Sequence, residues 1–261
     1  MLRLFISIDM VGSTQFKAQC ESSRDWLETF RIFVEHLPLF LESQIGAAFA
    51  ERERMPEVDI WKVMGDEIIF ATRPDSLEEI STVLHSVLKS MGIFEERYYQ
   101  NLPLRLKGAA WLADFGKDNI EIEIPDLSSK DGQAHIDFIG PDLDLGFRVT
   151  KFARPSLLAL SLDLAELLVD CDAAQWIQLF WVGSEPLKGV MYGRPYPMIW
   201  MPDPEVGFNF MPWELDDCRF SALAAKMPPT PHSELTRIAN EMRSYLAKMH
   251  GVDRPKFSVT T

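Results

Sequence analysis

The stretch that most constrains the fold runs from Asp59 to Ala71, two apolar, β-favouring runs joined by Met64-Gly65-Asp66-Glu67. Glycine takes φ > 0 without a Cβ clash and aspartate accepts local backbone hydrogen bonds, so the junction reads as a hairpin tip presenting a carboxylate. On spacing alone, a solvated turn is the simpler account of that tip. A second acid changes the reading. Leu2 to Asp9 is a buried strand that ends in an acid and is followed by the small-residue turn Met10-Val11-Gly12-Ser13-Thr14. Two aspartates at the ends of adjacent strands can clamp Mg²⁺ or Mn²⁺, which prefer carboxylate and phosphate oxygens. The free N–H groups of the turn, ahead of a helix expected from Gln15, suit a triphosphate. Together these residues point to metal-assisted chemistry on a nucleotide polyphosphate.

Composition narrows the class further. A formal net charge of −13 opposes a general nucleic-acid binder, because phosphate backbones are held by clustered Lys and Arg. With 261 residues and 47% hydrophobic content the chain can bury one large core, and it reads as one catalytic domain over residues 1–203 followed by a C-terminal extension over 204–261. No apolar run approaches the length of a membrane span and the first residues already form a strand, so the expected location is cytoplasmic, with no membrane partner. Cys20, Cys171 and Cys218 lack any paired metal spacing and read as reduced structural thiols.

Apolar residues from Phe16 through Trp26, Phe30, Phe33 and Leu37 recur at helical steps, predicting a helix from Gln15 to about Gly46 that Pro38 kinks or divides. Ser76 and Glu79 predict a reciprocal cap on a helix running to about Gly92. Leu104–Leu112, Asn119–Ile124 and Leu157–Leu160 read as strands. A loop spans Ser128 to Gly132, and Pro141 starts a helix through Arg148 to Lys151. Strands and helices mixed in this order indicate an α+β layered fold. In the extension, Ser233 is the expected cap of a helix ended by Gly251. Its stripe of Leu235, Ile238, Met242, Leu246 and Met249 reads as a docking face.

Several stretches resemble the catalytic domain of class III nucleotidyl cyclases. Phe5 to Thr14 resembles their first metal motif and Lys62-Val63-Met64-Gly65-Asp66 their second. The likeness continues in family order through Leu104 to Ala110, Asp137 to Arg148 and Leu187-Lys188-Gly189, covering roughly residues 1–203. It implies a ferredoxin-like, antiparallel-rich sheet with helices packed on it. It also implies two divalent cations, Mn²⁺ or Mg²⁺, held by Asp9, Asp66 and the Met10 carbonyl. The turn from Val11 through Gly12 and Ser13 to Thr14 would hold phosphates, and Lys62 and Asp137 would read the base. Arg148 matches the transition-state arginine and Asp144 stands where the family usually has an asparagine that orients the ribose. Ser13 replaces a Phe, and Val190 stands where some members carry a Lys, with Arg194 the alternative cation.

The resemblance further implies a head-to-tail homodimer with composite sites. The substitutions, the missing sensor domain and the added extension are most similar to the stand-alone pyrimidine cyclases of Pycsar anti-phage defence. That likeness implies a cyclic UMP or cyclic CMP product, UTP favoured over CTP, acting on a separate effector. The Lys62 and Asp137 pair is also typical of adenylate cyclases, so cyclic AMP stays open. Two further readings are a diguanylate-cyclase or polymerase-palm relative and a catalytically inactive cyclase-fold binding module.

Overall fold

The computed structural model describes residues 1–52, 54–116, 118–124, 135–171, 176–208, 210, 212 and 214–259. The loop expected from Ser128 to Gly132 lies outside them. Strand β1 (Leu2–Val11) lies inside the sheet, flanked antiparallel by β3 (Glu67–Thr72) and β4 (Arg105–Asp114). Its period of two sorts the side chains by face. Leu4, Ile6, Ile8 and Met10 enter the larger core, while Phe5 faces a smaller cluster with Trp61, Ile69, Trp111 and Phe138. Ser7 and Asp9 follow Phe5 onto that second face, and Asp9 stands at the end of it.

The complete sheet runs β2 (Val58–Met64), β3, β1, β4, β7 (Leu157–Leu160), β9 (Pro195–Pro202), β8 (Phe180–Pro186). Its ladders are antiparallel except β4 to β7. Strands β5 (Ile120–Ile124) and β6 (His135–Ile139) form a separate ladder that lends Phe138 to the smaller cluster. Helices α2 (Ser23–Ala48) and α3 (Leu77–Tyr98) cover the larger core, and α4 (Pro141–Val149) packs against β4. A mixed α+β fold with a mainly antiparallel sheet is therefore what the chain forms, as its pattern predicts.

Several boundaries differ from the pattern. The long N-terminal helix is two, α1 (Ser13–Gln19) and α2, and the break falls at residues 20–22 instead of at Pro38. Ser22 N donates to Asp25 Oδ2 at 2.9 Å, capping a new start. Helix α2 runs on through Pro38 because Phe30, Phe33, Leu37, Leu41 and Ile45 bury one continuous face. Tertiary packing outweighs the one backbone hydrogen bond that proline withholds. Ser76 caps α3 by accepting from Glu79 N at 3.1 Å, yet the Glu79 carboxylate accepts from Asp75 N, so the box is not reciprocal at Ser76. That helix also passes Gly92, since Phe94 is buried beyond it. Helix α4 stops at Val149, and residues 150–152 make a 3₁₀ turn.

Beyond β9 the extension forms α6 (Cys218–Ala224) and α7 (His232–Tyr245), the latter continued by a π turn, Leu246–His250, and closed by Gly251 at φ 64°. Pro231, two residues before the expected cap, precedes the helix, and Ser233 lies within it. Leu235, Ala239 and Leu246 are buried against the body, whereas Met249 is 68% exposed and does not belong to the docking face. Helix α5 (Leu162–Val169) receives α7. All three cysteines are free. Among the described residues no helix is long and apolar enough to cross a membrane.

Candidate active site

The two strand-end acids meet where β1 ends beside the β2–β3 tip. Asp9 pairs in register with Glu67, and Met10 N donates to the Asp66 carbonyl at 3.0 Å, so Asp9 on β1 and Asp66 in the β2–β3 turn meet at one end of the sheet. Gly65 takes φ 73° to make the tip. Gly12 takes φ 87°, and a Cβ there would stand 2.5 Å from the Pro103 carbonyl, so only glycine turns β1 into α1. The turn aims Ser13 back at the tip, where its hydroxyl donates to Asp66 Oδ2. Ser13 is therefore more than a replacement for a Phe.

Three further side chains complete this end without having been singled out in the sequence. Lys107 Nζ lies 2.9 Å from Asp9 Oδ2. Ser7 Oγ donates to Glu67 Oε1 at 2.5 Å. Burial pushes the Glu67 carboxyl up, and the nearby Asp9 and Asp66 add to the shift, while Ser7 and Lys107 oppose it. The donors suit a hard divalent cation: two carboxylates and the Met10 carbonyl, with no sulfur or imidazole. Among the described residues no group of three or more His, Cys, Asp or Glu is gathered to hold a metal, and a cation bound by Asp9 and Asp66 would need phosphate oxygens and water as further ligands. Lys107 already neutralises part of the charge. Of the predicted phosphate contacts, Val11 still belongs to β1, opposite Arg105, and Gly12, Ser13 and Thr14 form the turn and the first residues of α1. That helix has only seven residues, so it brings a smaller dipole than the long helix expected from Gln15.

The second group is built on the bulge of β2 between Ile60 and Lys62. It turns Trp61 into the smaller cluster, against Phe5 and Phe138. Lys62 lies over the Trp61 ring, 4.3 Å from its centroid, and its Nζ is 2.8 Å from Asp137 Oδ1. The same oxygen accepts from Trp61 Nε1 at 3.1 Å and from Phe138 N at 2.9 Å. Burial works to raise the Asp137 carboxyl, but the hydrogen bonds from Lys62, Phe138 and Trp61 outweigh it and hold the group below the ordinary carboxylate value. The structure thus brings Lys62 and Asp137 together from positions 75 residues apart in the chain.

Asp144 and Arg148 are exposed, four residues apart on one side of α4. Their helix lies close on the sheet because Gly146 has no side chain, and a Cβ there would fall 2.1 Å from the Trp111 ring. Phe147 packs beside Trp61 at 6.0 Å between centroids. Neither Asp144 nor Arg148 makes an ion pair or side-chain hydrogen bond among the described residues. Arg194 stacks over the Tyr245 ring at 4.5 Å, so α7 already engages it.

Within one chain Lys62 stands apart from Asp9. Lys62 pairs with Ile69, which pairs with Ser7, so it stands two strands and two residues from Asp9, about 12 Å between backbones.

No family model matches the sequence, and no curated protein sequence matches it. Solved structures do match. The adenylyl cyclase CyaB from P. aeruginosa superposes with a TM-score of 0.54 at 15% identity over 81% of this chain and 95% of that one. The guanylate cyclase domain of RhGC from Catenaria anguillulae, solved with GTP, gives 0.54 at 12% identity over 77% and 95%. Adenylate cyclases from Trypanosoma brucei, in their monomeric state, give 0.52 at 15% identity over 80% and 91%. The shared feature at these identities is the fold, that of the class III cyclase catalytic domain.

Proposed function

We propose that this cyclase-fold chain is a nucleotidyl cyclase that converts a nucleoside triphosphate, UTP ahead of CTP, into a 3′,5′-cyclic nucleotide and pyrophosphate. The observation that carries the reading is the joint placement of Asp9 and Asp66 at one end of the sheet and of Lys62 against Asp137 beside α4. On a fold shared with adenylyl and guanylate cyclases, those are the two halves that such a reaction requires. A divalent pair held by Asp9, Asp66 and the Met10 carbonyl would lower the pKa of the ribose 3′-hydroxyl and neutralise the departing pyrophosphate. Ser13 orients Asp66, and the turn at residues 11–14 receives phosphate oxygens. The 3′-hydroxyl releases its proton to solvent and its oxygen forms a bond to the α-phosphorus as the bond from that phosphorus to the bridging oxygen breaks, freeing pyrophosphate. Arg148 places a delocalised cation with several donors on the crowded phosphoryl group, and Asp144 accepts from a ribose hydroxyl.

Composite sites between two antiparallel copies fit this arrangement. Arg148 and Asp144 make no ion pair or side-chain hydrogen bond among the described residues, and the edge near Lys62 exposes Ile60, Val63 and Met64. In a head-to-tail homodimer the acids of one protomer face Lys62, Asp137, Asp144 and Arg148 of its partner. Residues 1–203 are the catalytic domain in this reading and 204–261 an addition to it. The product is a second messenger for a separate effector in anti-phage defence.

A second reading, a cyclase-fold binding module without turnover, draws on the Asp9–Lys107 pair, which satisfies a metal ligand internally. Mn²⁺-dependent pyrophosphate release separates the two. Release that disappears in Asp9→Ala supports the enzyme, and no release with any of the four ribonucleoside triphosphates supports the binding module.

A further inference from the structure

We propose that Arg254, in the C-terminal extension, is a positioning residue that fixes helix α4 and through it Arg148 and Asp144. The inference rests on the cyclase reading for its catalytic half and on contacts within this chain for its structural half. Arg254 reaches between two helices. One nitrogen lies 2.8 Å from Asp142 Oδ1 in the first turn of α4, a charge contact without hydrogen-bond alignment, and another donates to Asp163 Oδ2 at 2.8 Å in the first turn of α5. Asp142 is 5% exposed, and its other oxygen accepts from Asn119 Nδ2 at 2.6 Å and from Asp114 N at 3.2 Å. The beginning of α4 is thus pinned from the sheet on one side and from the extension on the other. Burial works against the charge on Arg254, and the carboxylates of Asp163 and Asp142 more than offset it.

The rest of the extension is held independently, so Arg254 arrives on a fixed support. Arg243 makes a bidentate pair with Glu166 at 2.5 Å, Lys256 pairs with Asp170 at 2.5 Å, and Leu235 and Phe257 are buried. The same extension clasps a strained loop of the body. His250 stacks on Tyr192 at 3.6 Å between centroids, and Met191 and Tyr192 both take positive φ. Arg148 and Asp144 make no ion pair or side-chain hydrogen bond among the described residues, so the seating of α4, by its first turn and by Gly146 on Trp111, decides where they point. Displacing a catalytic group by about 1 Å costs roughly a hundredfold in rate.

The test compares full-length wild type, Arg254→Met and Arg254→Lys by hydrogen exchange of α4 amides and by steady-state kinetics with Mn²⁺ and UTP. Arg254→Met should speed exchange across residues 141–149 by about tenfold or more and lower kcat about 10- to 100-fold, with KM changed less than about threefold. Arg254→Lys keeps the charge but reaches only one carboxylate, so it should recover part of both losses. Exchange in α4 that is unchanged in a folded Arg254→Met protein overturns the tether. A folded variant with faster α4 exchange but wild-type kcat overturns the positioning role. Wild type inactive on all four nucleotides overturns the proposed function and the catalytic half with it, while the exchange measurement still decides the tether.

Discussion

Lys107 and Asp9 face each other directly across the β1–β4 ladder, and the lysine Nζ reaches the Asp9 carboxylate at 2.9 Å. The side chains are 29% and 28% exposed, so the pair is screened and weak, worth about 0–1 kcal/mol. It competes for the same oxygen that a divalent cation would use. Lys107→Ala should therefore lower the Mn²⁺ concentration giving half-maximal binding by about two- to fivefold, the factor that such an energy allows. Titration of Mn²⁺ by electron paramagnetic resonance reads it directly, and weaker binding in the variant would show that Lys107 supports the site instead of competing.

Asp9→Ala and Asp66→Ala should each reduce turnover to background while the fold survives. Each removes an oxygen ligand, and Asp66→Ala also leaves the Ser13 hydroxyl without its acceptor. Circular dichroism checks the fold and pyrophosphate release checks the chemistry. Turnover retained in either folded variant contradicts the metal assignment.

The pair of Lys62 with Asp137 predicts an acid-side signature. The folded Asp137 carboxyl lies below its unfolded value, so its stabilisation is present above the ordinary carboxylate pKa, about 3.9, and is lost as pH falls through the folded value. Asp137→Asn should melt below wild type at pH 7, and the gap should close as pH falls below about 4. A gap that stays constant with pH contradicts an ionised pair.

Gly146→Ala should destabilise the protein despite the better helix propensity of alanine, worth about 1 kcal/mol. The added methyl would collide with the Trp111 ring beneath α4, an overpacking cost of about 1–3 kcal/mol that also moves the helix. Thermal melting checks the stability, and kcat should fall because Arg148 travels with α4. A melting point above wild type would show that the helix lies farther from β4 than described.

Mixing inactive Asp9→Ala with inactive Arg148→Ala tests the composite dimer. Subunit exchange makes heterodimers with one intact site, so activity should return toward half that of the heterodimer's wild-type counterpart. Exchange demonstrated without recovered activity rules out sites shared between protomers.

The sequence made some of this legible because the signals were local. The Gly65 tip, the apolar run of β1 and the cap at Ser76 each depend on a few neighbouring residues, and each forms close to where the pattern places it. The pairing of Lys107 with Asp9 depends on the β1–β4 register, which no local pattern encodes. The reach of Ser13 to Asp66 and of Arg254 to Asp142 spans the fold, so neither could be read from spacing. The break at residues 20–22 was hidden by the stronger signal of Pro38, whose cost the apolar face of α2 absorbs. Gly92 misled in the same way, because the buried contacts of Phe94 carry α3 past it.

The central claim is a cyclisation, and the identity of the product tests it most directly. Purified protein incubated with ATP, GTP, CTP and UTP separately, each with Mn²⁺, is analysed by mass spectrometry for 3′,5′-cyclic nucleotides. The account predicts cyclic UMP as the dominant product, with cyclic CMP second, since each buried polar group that a wrong base leaves unpaired costs about 1–3 kcal/mol. Cyclic AMP as the dominant product would replace the pyrimidine preference and leave the cyclase reading in place. The absence of any cyclic nucleotide from all four substrates would contradict the account.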